Sequence, residues 1–276
     1  MLIESGSVLL GSALVVWSLL PVFNMFRIAL DRGGHNEFST SLWPEHPTLA
    51  VFATLWTEGA DDVEIIWTQF GNSLYVGVVA AALTVLIGSM ASFSIGRMGL
   101  ARQWTLAGTA MLTYAIPASV LVIPFTGFIH LYAIPDDRWS VIAAEVTFAT
   151  PYAILVLLYY ARLVPAQLDD AARIDGASVL QVYLRIYVPL MAPALAAVGT
   201  YALLYAWNDY VYQLMLLGSE KHSTVAVALE QFFDDDDSPW NYMMAVAIIY
   251  SLPPIATFFV LRRFMATGLT AGGTKG

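Results

Sequence analysis

The stretch Pro165-Ala166-Gln167-Leu168-Asp169-Asp170-Ala171-Ala172-Arg173-Ile174-Asp175-Gly176-Ala177-Ser178, running on to Pro189, lies between two strongly apolar runs. It is too polar to span a membrane and too well punctuated to be a loose loop. Pro165 suits the first position of a helix, and Gly176 suits a left-handed stop after it. Ser178 can cap a second helix beginning near Val179, and Pro189 marks entry to the next apolar run. The spacing predicts a short helix, a sharp turn and a second helix. Ala171 and Ala172 present almost no side chain, so another protein's groove can approach the backbone there. Asp170 can pair with donors on a partner, and Asp169 and Asp175 add charge. From the residues alone two readings stand, a compact docking knob and an ordinary amphipathic linker.

The composition around this stretch points to lipid. Of 276 residues 58% are hydrophobic and 12% charged, and the mean hydropathy is +0.67. Soluble domains carry about twice that share of charge. The net charge of −9 argues against nucleic acid, which selects basic surfaces. The lack of cysteine removes disulfides, thiolate metal sites and cysteine nucleophiles together. A bilayer core of about 30 Å needs about 20 apolar residues per helix. Six runs qualify: 8–30, 69–95, 104–131, 139–161, 190–217 and 242–261. The first is no cleavable signal, since Glu4 precedes it where a basic residue belongs and its apolar run is too long. The fold class read from this is an all-α membrane protein of six transmembrane helices in one domain. Prolines at 21, 117, 124, 151, 253 and 254 interrupt the runs and invite kinks.

Charge sets the sidedness. With the N-terminus inside, the inner segments hold Arg97, Arg102, Arg162, Arg173, Arg185, Arg262, Arg263 and Lys275, against Arg27, Arg32, Arg138 and Lys221 outside. That excess follows the positive-inside rule and puts both termini and the 165–189 segment in the cytoplasm. Catalysis finds no support. His35, His46, His130 and His222 show no HExxH pairing, and no GxSxG elbow occurs. Asp234 to Asp237 lacks the glycine and terminal glutamate of a calcium loop. The tail has glycines at phosphate-loop spacing, but Thr274 stands where the lysine belongs, so this chain binds no ATP itself. No metal site is expected.

Asp170-Ala171-Ala172, then Gly176, then Ile186-Tyr187-Val188-Pro189 resembles the EAA motif of ABC-importer permeases, with aspartate for the glutamate and valine for a leucine. Asn72-Ser73-Leu74 is similar to the start of the second span in the carbohydrate branch of that family, and Ala206-Trp207-Asn208-Asp209-Tyr210 to a motif in its fifth span. The ending Gly268-Leu269-Thr270-Ala271-Gly272-Gly273-Thr274-Lys275-Gly276 resembles that of maltose-type permeases. The resemblance implies the type I importer fold and a bacterial inner-membrane location. It makes Asp170, Ala171, Ala172, Asp175 and Gly176 a coupling helix seated in an ATPase subunit. It implies that Gly272, Gly273, Lys275 and Gly276 reach between the ATPases, and that Glu230, Gln231 and Phe232 approach a binding protein. The partners implied are a second permease in a heterodimer, two ATPase subunits that hold ATP and Mg, an extracytoplasmic solute-binding protein and membrane lipid.

An ionised carboxylate in hydrocarbon is costly and usually faces a cavity, so Asp209 marks a candidate solute path. Trp207 and Asn208 beside it suit the ring face and hydroxyls of a sugar, and Gln213 shares that helix face four residues on. The competing reading pairs these groups with a neighbouring helix or the second permease. Glu145 reads as interfacial. Residues 31–68, with Trp43, Trp56 and Trp67, read as an outer segment at the membrane interface. The function expected is passage of a sugar or polyol through an ATP-driven importer. The alternatives are an ion-coupled carrier or channel without an ATPase, an importer permease for another solute, and a membrane-embedded enzyme.

Overall fold

The computed structural model describes residues 2–32, 41–44, 46–57, 61–132, 137–162, 164–165, 167–219, 221–231 and 239–270, with backbone alone for 2–4, 61–64, 231 and 263–270. Its elements are α1 (Leu2–Ala29), α2 (Ala50–Thr57), α3 (Asp61–Ile95), α4 (Leu100–Met111), α5 (Ala118–Tyr132), α6 (Asp137–Ala161), α7 (Gln167–Ile174), α8 (Val179–Val182), α9 (Val188–Leu190), α10 (Ala192–Asn208), α11 (Val211–Leu216), α12 (Val225–Gln231) and α13 (Trp240–Thr270). Extended pairing among the described residues is one isolated bridge between Asp31 and Pro47. Helices dominate because a chain in lipid must satisfy its backbone groups within each segment.

Among the described residues four helical stretches are long and apolar enough to cross a membrane: Ser5–Ala29, Ile65–Ile95, Asp137–Ala161 and Trp240–Arg262. Two bent pairs bring the number to six if each counts as one span, Leu100–Ala115 with Ala118–Tyr132 at 96° and Val179–Leu190 with Ala192–Asn208 at 79°. The runs predicted as single spans at 104–131 and 190–217 are therefore broken. In the first, Pro117 disfavours helical geometry in the residue before it, and Ile116 is extended at φ −109, ψ 129. In the second, α10 ends at Asn208 and Asp209 is extended before α11 begins. The 79° bend at Met191 precedes Pro193, which has no N–H to offer the carbonyl four residues back.

The chain divides into two compact units, Met1–Trp67 with Val227–Leu252, and Thr68–Ala226 with Pro253–Gly276. In the first, Arg27 is buried and donates to Asn24 Oδ1 at 3.0 Å and to the Ser41 carbonyl at 3.1 Å. Trp67 donates its indole N–H to the Leu55 carbonyl at 2.8 Å and packs on Trp56, so the stretch read as an interfacial segment contains a helix, α2.

The second unit is built on α3, α6 and α10. Gly88 of α3 lies where an added Cβ would come within 2.9 Å of Ala153 Cβ on α6, so glycine sets this close helix approach. One cluster gathers Phe93, Leu157, Val182, Tyr187, Met191 and Val198. Another holds Val76, Ala80, Val141, Ile142 and Ala206. Together they fix α10 against both neighbours and orient the two regions described next.

Candidate functional site

The segment after α6 folds as its punctuation predicts, with one change. Helix α7 closes on a paired C-cap, Ala177 N–H to the Ala172 carbonyl at 2.9 Å and Gly176 N–H to the Arg173 carbonyl at 3.1 Å. Gly176 has φ +79, a conformation that a Cβ resists even though open space surrounds it. Ser178 and Gln181 then form a reciprocal capping box that starts α8. The change is that Tyr183–Tyr187 winds as a π-helical turn, where the sequence reads as plain helix. This turn places Tyr183 and Tyr187 so that their hydroxyls meet Ser89 and Ser92 of α3 at 2.7 Å each. Both rings stand edge-on to Phe93 at 5.1 Å, which mounts the segment firmly on α3.

The three aspartates of this segment do different things. Asp169 turns toward its own chain and pairs with Arg97 at 2.6 Å, and the Arg97 guanidinium lies 3.4 Å over the Phe93 ring. Asp170 and Asp175 are exposed and hold no ion pair among the described residues. The alanines divide in the same way. Ala171 is exposed, but Ala172 is buried at 8% in the cluster with Phe93, Val182 and Tyr187. The reading that both alanines face a partner is corrected: Ala172 is small because its own chain packs there. Between α7 and the ends of α3 and α6 lies a cleft of about 550 Å³, lined in part by Arg97, Arg162, Asp170 and Arg173.

At the other end of the unit α10 breaks. Asp209 Oδ2 accepts from the N–H groups of Tyr212 at 3.0 Å and Gln213 at 3.2 Å, which satisfies the free donors that begin α11. Tyr201, Leu204, Tyr205, Asn208 and Asp209 line a second cleft of about 440 Å³. The spacing of three and four residues puts Tyr201, Leu204, Tyr205 and Asn208 on one face of α10, and Asp209 follows at its broken end. Tyr201 packs on Tyr152 of α6 at 4.2 Å and on Tyr205 at 6.0 Å, so aromatic faces lead toward Asn208 and Asp209. Glu145 of α6 is 2% exposed. The interfacial reading of Glu145 is corrected, since it lies inside the helix packing.

Two residues predicted on this path lie elsewhere. Trp207 is 2% exposed, stands edge-on to Phe70 and fits over Gly77, where a Cβ would sit 3.4 Å from its ring. Gln213, also 2% exposed, donates to the Ala206 carbonyl at 2.8 Å and accepts from the Thr224 hydroxyl. It ties the broken end of α10 to the turn before α12. The reason is helical phase: Asn208 and Trp207 are adjacent in sequence and so face about 100° apart.

The turn before α12 is latched further by α3. Asn72 donates to the carbonyls of Lys221 at 2.7 Å and Ser223 at 2.9 Å, and its own oxygen accepts from Arg138 at 3.3 Å. Ser73 Oγ accepts from the Val225 N–H at 3.0 Å, capping α12 from another helix. Asp137 accepts from Gly218 N–H at 2.8 Å and lies 3.5 Å from His222. A polar pair opening an apolar run could have flagged Asn72 and Ser73 as an anchor. Tyr201 and Tyr205 left a weaker sign, an aromatic repeat at a spacing of four.

Comparison with known proteins places the chain. Residues 85–270 match the family described as binding-protein-dependent transport system inner membrane component. The chain is 33% identical over 207 residues to the inner membrane ABC transporter permease protein YcjP of Escherichia coli (strain K12), covering 75% of this chain and 74% of that one. The chain belongs to this permease family. Another member, the trehalose transport system permease protein SugB of Mycobacterium tuberculosis (strain CDC 1551 / Oshkosh), is 28% identical and covers 97% of this chain and 96% of its own. The fold is that of a chain in the crystal structure of a bacterial ABC transporter that imports the acidic polysaccharide alginate. The TM-score is 0.77 at 19% identity, over 94% of this permease and 95% of that chain. This permease is thus a membrane-spanning transport subunit of the inner membrane. Of the residues predicted to meet other subunits, Glu230 falls at the end of α12. The side chain of Gln231, together with Phe232 and the tail residues Gly272, Gly273, Lys275 and Gly276, lies outside the described residues. Among the described residues no group of three or more His, Asp or Glu could hold a metal.

Proposed function

We propose that this permease supplies half of the pathway of an ATP-driven sugar importer, the other half coming from a second permease. The observation that carries the reading is the cleft on α10, which Tyr201, Tyr205, Asn208 and Asp209 line together at a helix break. Tyrosine rings accept the apolar face of a pyranose, and the amide and carboxylate meet its hydroxyls. Trehalose transport in a relative that matches nearly the whole chain supports the substrate class. Two ATPase subunits hold ATP and Mg and drive alternating access by pushing on α7 through the exposed Asp170, Ala171 and Asp175. Gly176 fixes the turn that presents them. An extracytoplasmic binding protein delivers the sugar to the outer loop at Glu230 to Phe232, and the tail through Gly276 reaches between the ATPases. Both termini face the cytoplasm.

Uptake and assembly test this reading together. Asp209→Asn keeps an oxygen that can cap α11, so the complex should assemble in normal yield while uptake and sugar-stimulated ATPase activity change. Tyr205→Ala should lower uptake without loss of complex. Normal uptake in both variants would overturn the assignment of the cleft. Reporter fusions at Leu168 and Gly276 should read inside and one at Asp235 outside, and an outward reading at Leu168 would reverse the orientation.

A further inference from the structure

The cleft between α7 and the ends of α3 and α6 has a volume of about 550 Å³, within the roughly 300–1,000 Å³ of pockets that hold small ligands. Its charged lining is Arg97, Arg162, Arg173, Asp169 and Asp170. Arg97 and Asp169 cancel each other, since they pair at 2.6 Å, and Arg97 also donates to the Phe93 carbonyl at 2.9 Å. Arg162 rests over the Trp104 ring at 4.7 Å. Among the described residues neither Arg162 nor Arg173 has an ion-pair or hydrogen-bond partner. Against these two guanidiniums stands one unpaired carboxylate, Asp170. The cleft therefore carries an excess of one positive charge. Its walls are fixed in advance: Gln103 donates to the Gly96 carbonyl at 3.0 Å and the Met98 carbonyl at 2.8 Å, and the Tyr187 hydroxyl meets that of Ser92 at 2.7 Å.

The spans set the depth of this cleft. Arg97 comes two residues after the apolar stretch that ends at Ile95, and Arg162 directly follows the one that ends at Ala161. Two spans that end together mark a bilayer surface, where basic pockets between helices meet lipid headgroups. The side toward α4 is apolar: Leu100 is 66% exposed and Trp104 58%, and tryptophan favours that interface. We infer that the cleft is a phospholipid site, in which Arg162 and Arg173 clamp a phosphodiester while the acyl chains lie along Leu100 and Trp104. Planar guanidiniums present paired donors to phosphate oxygens. A phosphodiester has a single negative charge and answers the excess of one. A phosphate monoester carries about 1.5–2 negative charges near pH 7, and its surplus meets Asp170. An anionic lipid such as phosphatidylglycerol is favoured over phosphatidylcholine, whose own choline cancels the phosphate. The site shares no lining residue with the α10 cleft, and the inference depends neither on the solute carried nor on which leaflet this end faces.

The test uses the intact importer, purified with its partner subunits and held in phosphatidylcholine nanodiscs that contain a minor share of phosphatidylglycerol with a photoactivatable diazirine in its headgroup. After irradiation, mass spectrometry maps the labelled peptides. Label should fall on the peptides that carry Arg97 to Trp104 and Leu158 to Arg173, and unlabelled phosphatidylglycerol should displace it. Arg162→Gln and Arg173→Gln should each lower labelling there roughly threefold, the scale of a partly solvated charge pair, and the double variant about tenfold. Arg102→Gln removes an exposed arginine that does not line the cleft, and it should leave the labelling unchanged. All three side chains are exposed, so these variants should melt like wild type. Absence of label from these peptides overturns the inference, as does label that survives in the double variant or falls equally in Arg102→Gln. Displacement by added phosphatidylcholine as effective as that by phosphatidylglycerol overturns the charge match. Displacement by inorganic phosphate would show that the arginines hold free phosphate, and it overturns the assignment to lipid.

Discussion

The turn between α11 and α12 and the segment from Pro165 to Pro189 are both polar interruptions of an apolar chain, yet they are held in opposite ways. Around the α11–α12 turn the polar side chains point inward. Asn72, Ser73, Gln213 and Thr224 are buried, and their hydrogen bonds reach across as many as 152 positions of sequence. In the 165–189 segment the caps are local. Gly176 and Ser178 bond within five residues, and the longer ties come from aromatic rings and Arg97. Asp170 and Asp175 are left to water. The difference teaches where each region expects its partners. Polar groups that are buried must find partners inside the chain or cost free energy, whereas a surface meant for another subunit can leave them free.

The comparison breaks most readily at Asn72. Asn72→Leu leaves the buried carbonyl of Ser223 and the partly buried one of Lys221 without their donor, at a cost of about 1–3 kcal/mol for the buried group. A large fall in the melting temperature of the detergent-purified permease is expected, and an unchanged melt would show that the latch carries no stability. Ala172→Trp comes next, because it forces a bulky ring into the Phe93 and Tyr187 cluster. The cost is about 1–3 kcal/mol or more, and it should appear in the permease alone, without any ATPase. Ala171→Trp on the exposed side should leave the melt unchanged and reduce ATPase retention in a pull-down. If the two alanines behave alike, the division between inward and outward faces is wrong.

Gly176→Ala sharpens the same contrast with a smaller effect. There is room for the methyl group, so the cost is that of holding a non-glycine residue at positive φ, about 1–2 kcal/mol. A thermal melt should show it, together with weaker coupling of hydrolysis to uptake. The smallest change in stability is expected for Asp170→Asn. An exposed carboxylate contributes within about 0.5 kcal/mol to the fold, so the melt should be unaltered while ATPase retention falls. Asp169→Asn, which weakens the 2.6 Å pair with Arg97, should do the reverse and lower the melt more than the retention. That pair is partly solvated, so the shift corresponds to no more than about 1 kcal/mol.

The sequence by itself determined what depends on composition and on neighbours along the chain. Lipid as solvent follows from the apolar share, and the turn at Gly176 and the cap at Ser178 follow from local backbone chemistry. The break at Ile116 follows from Pro117 acting on the residue before it. Only the tertiary structure decided which way each side chain faces. It separated Ala171 from Ala172, Asp169 from Asp170, and Asn208 from Trp207, and it buried Glu145 among the helices. The physical reason is rotational. In spans apolar on every side, no amphipathic stripe fixes the helical phase, so the phase is set by close approaches such as Gly88 on Ala153 and Gly77 under Trp207. The composition of one helix does not encode those contacts; they exist only when two helices meet.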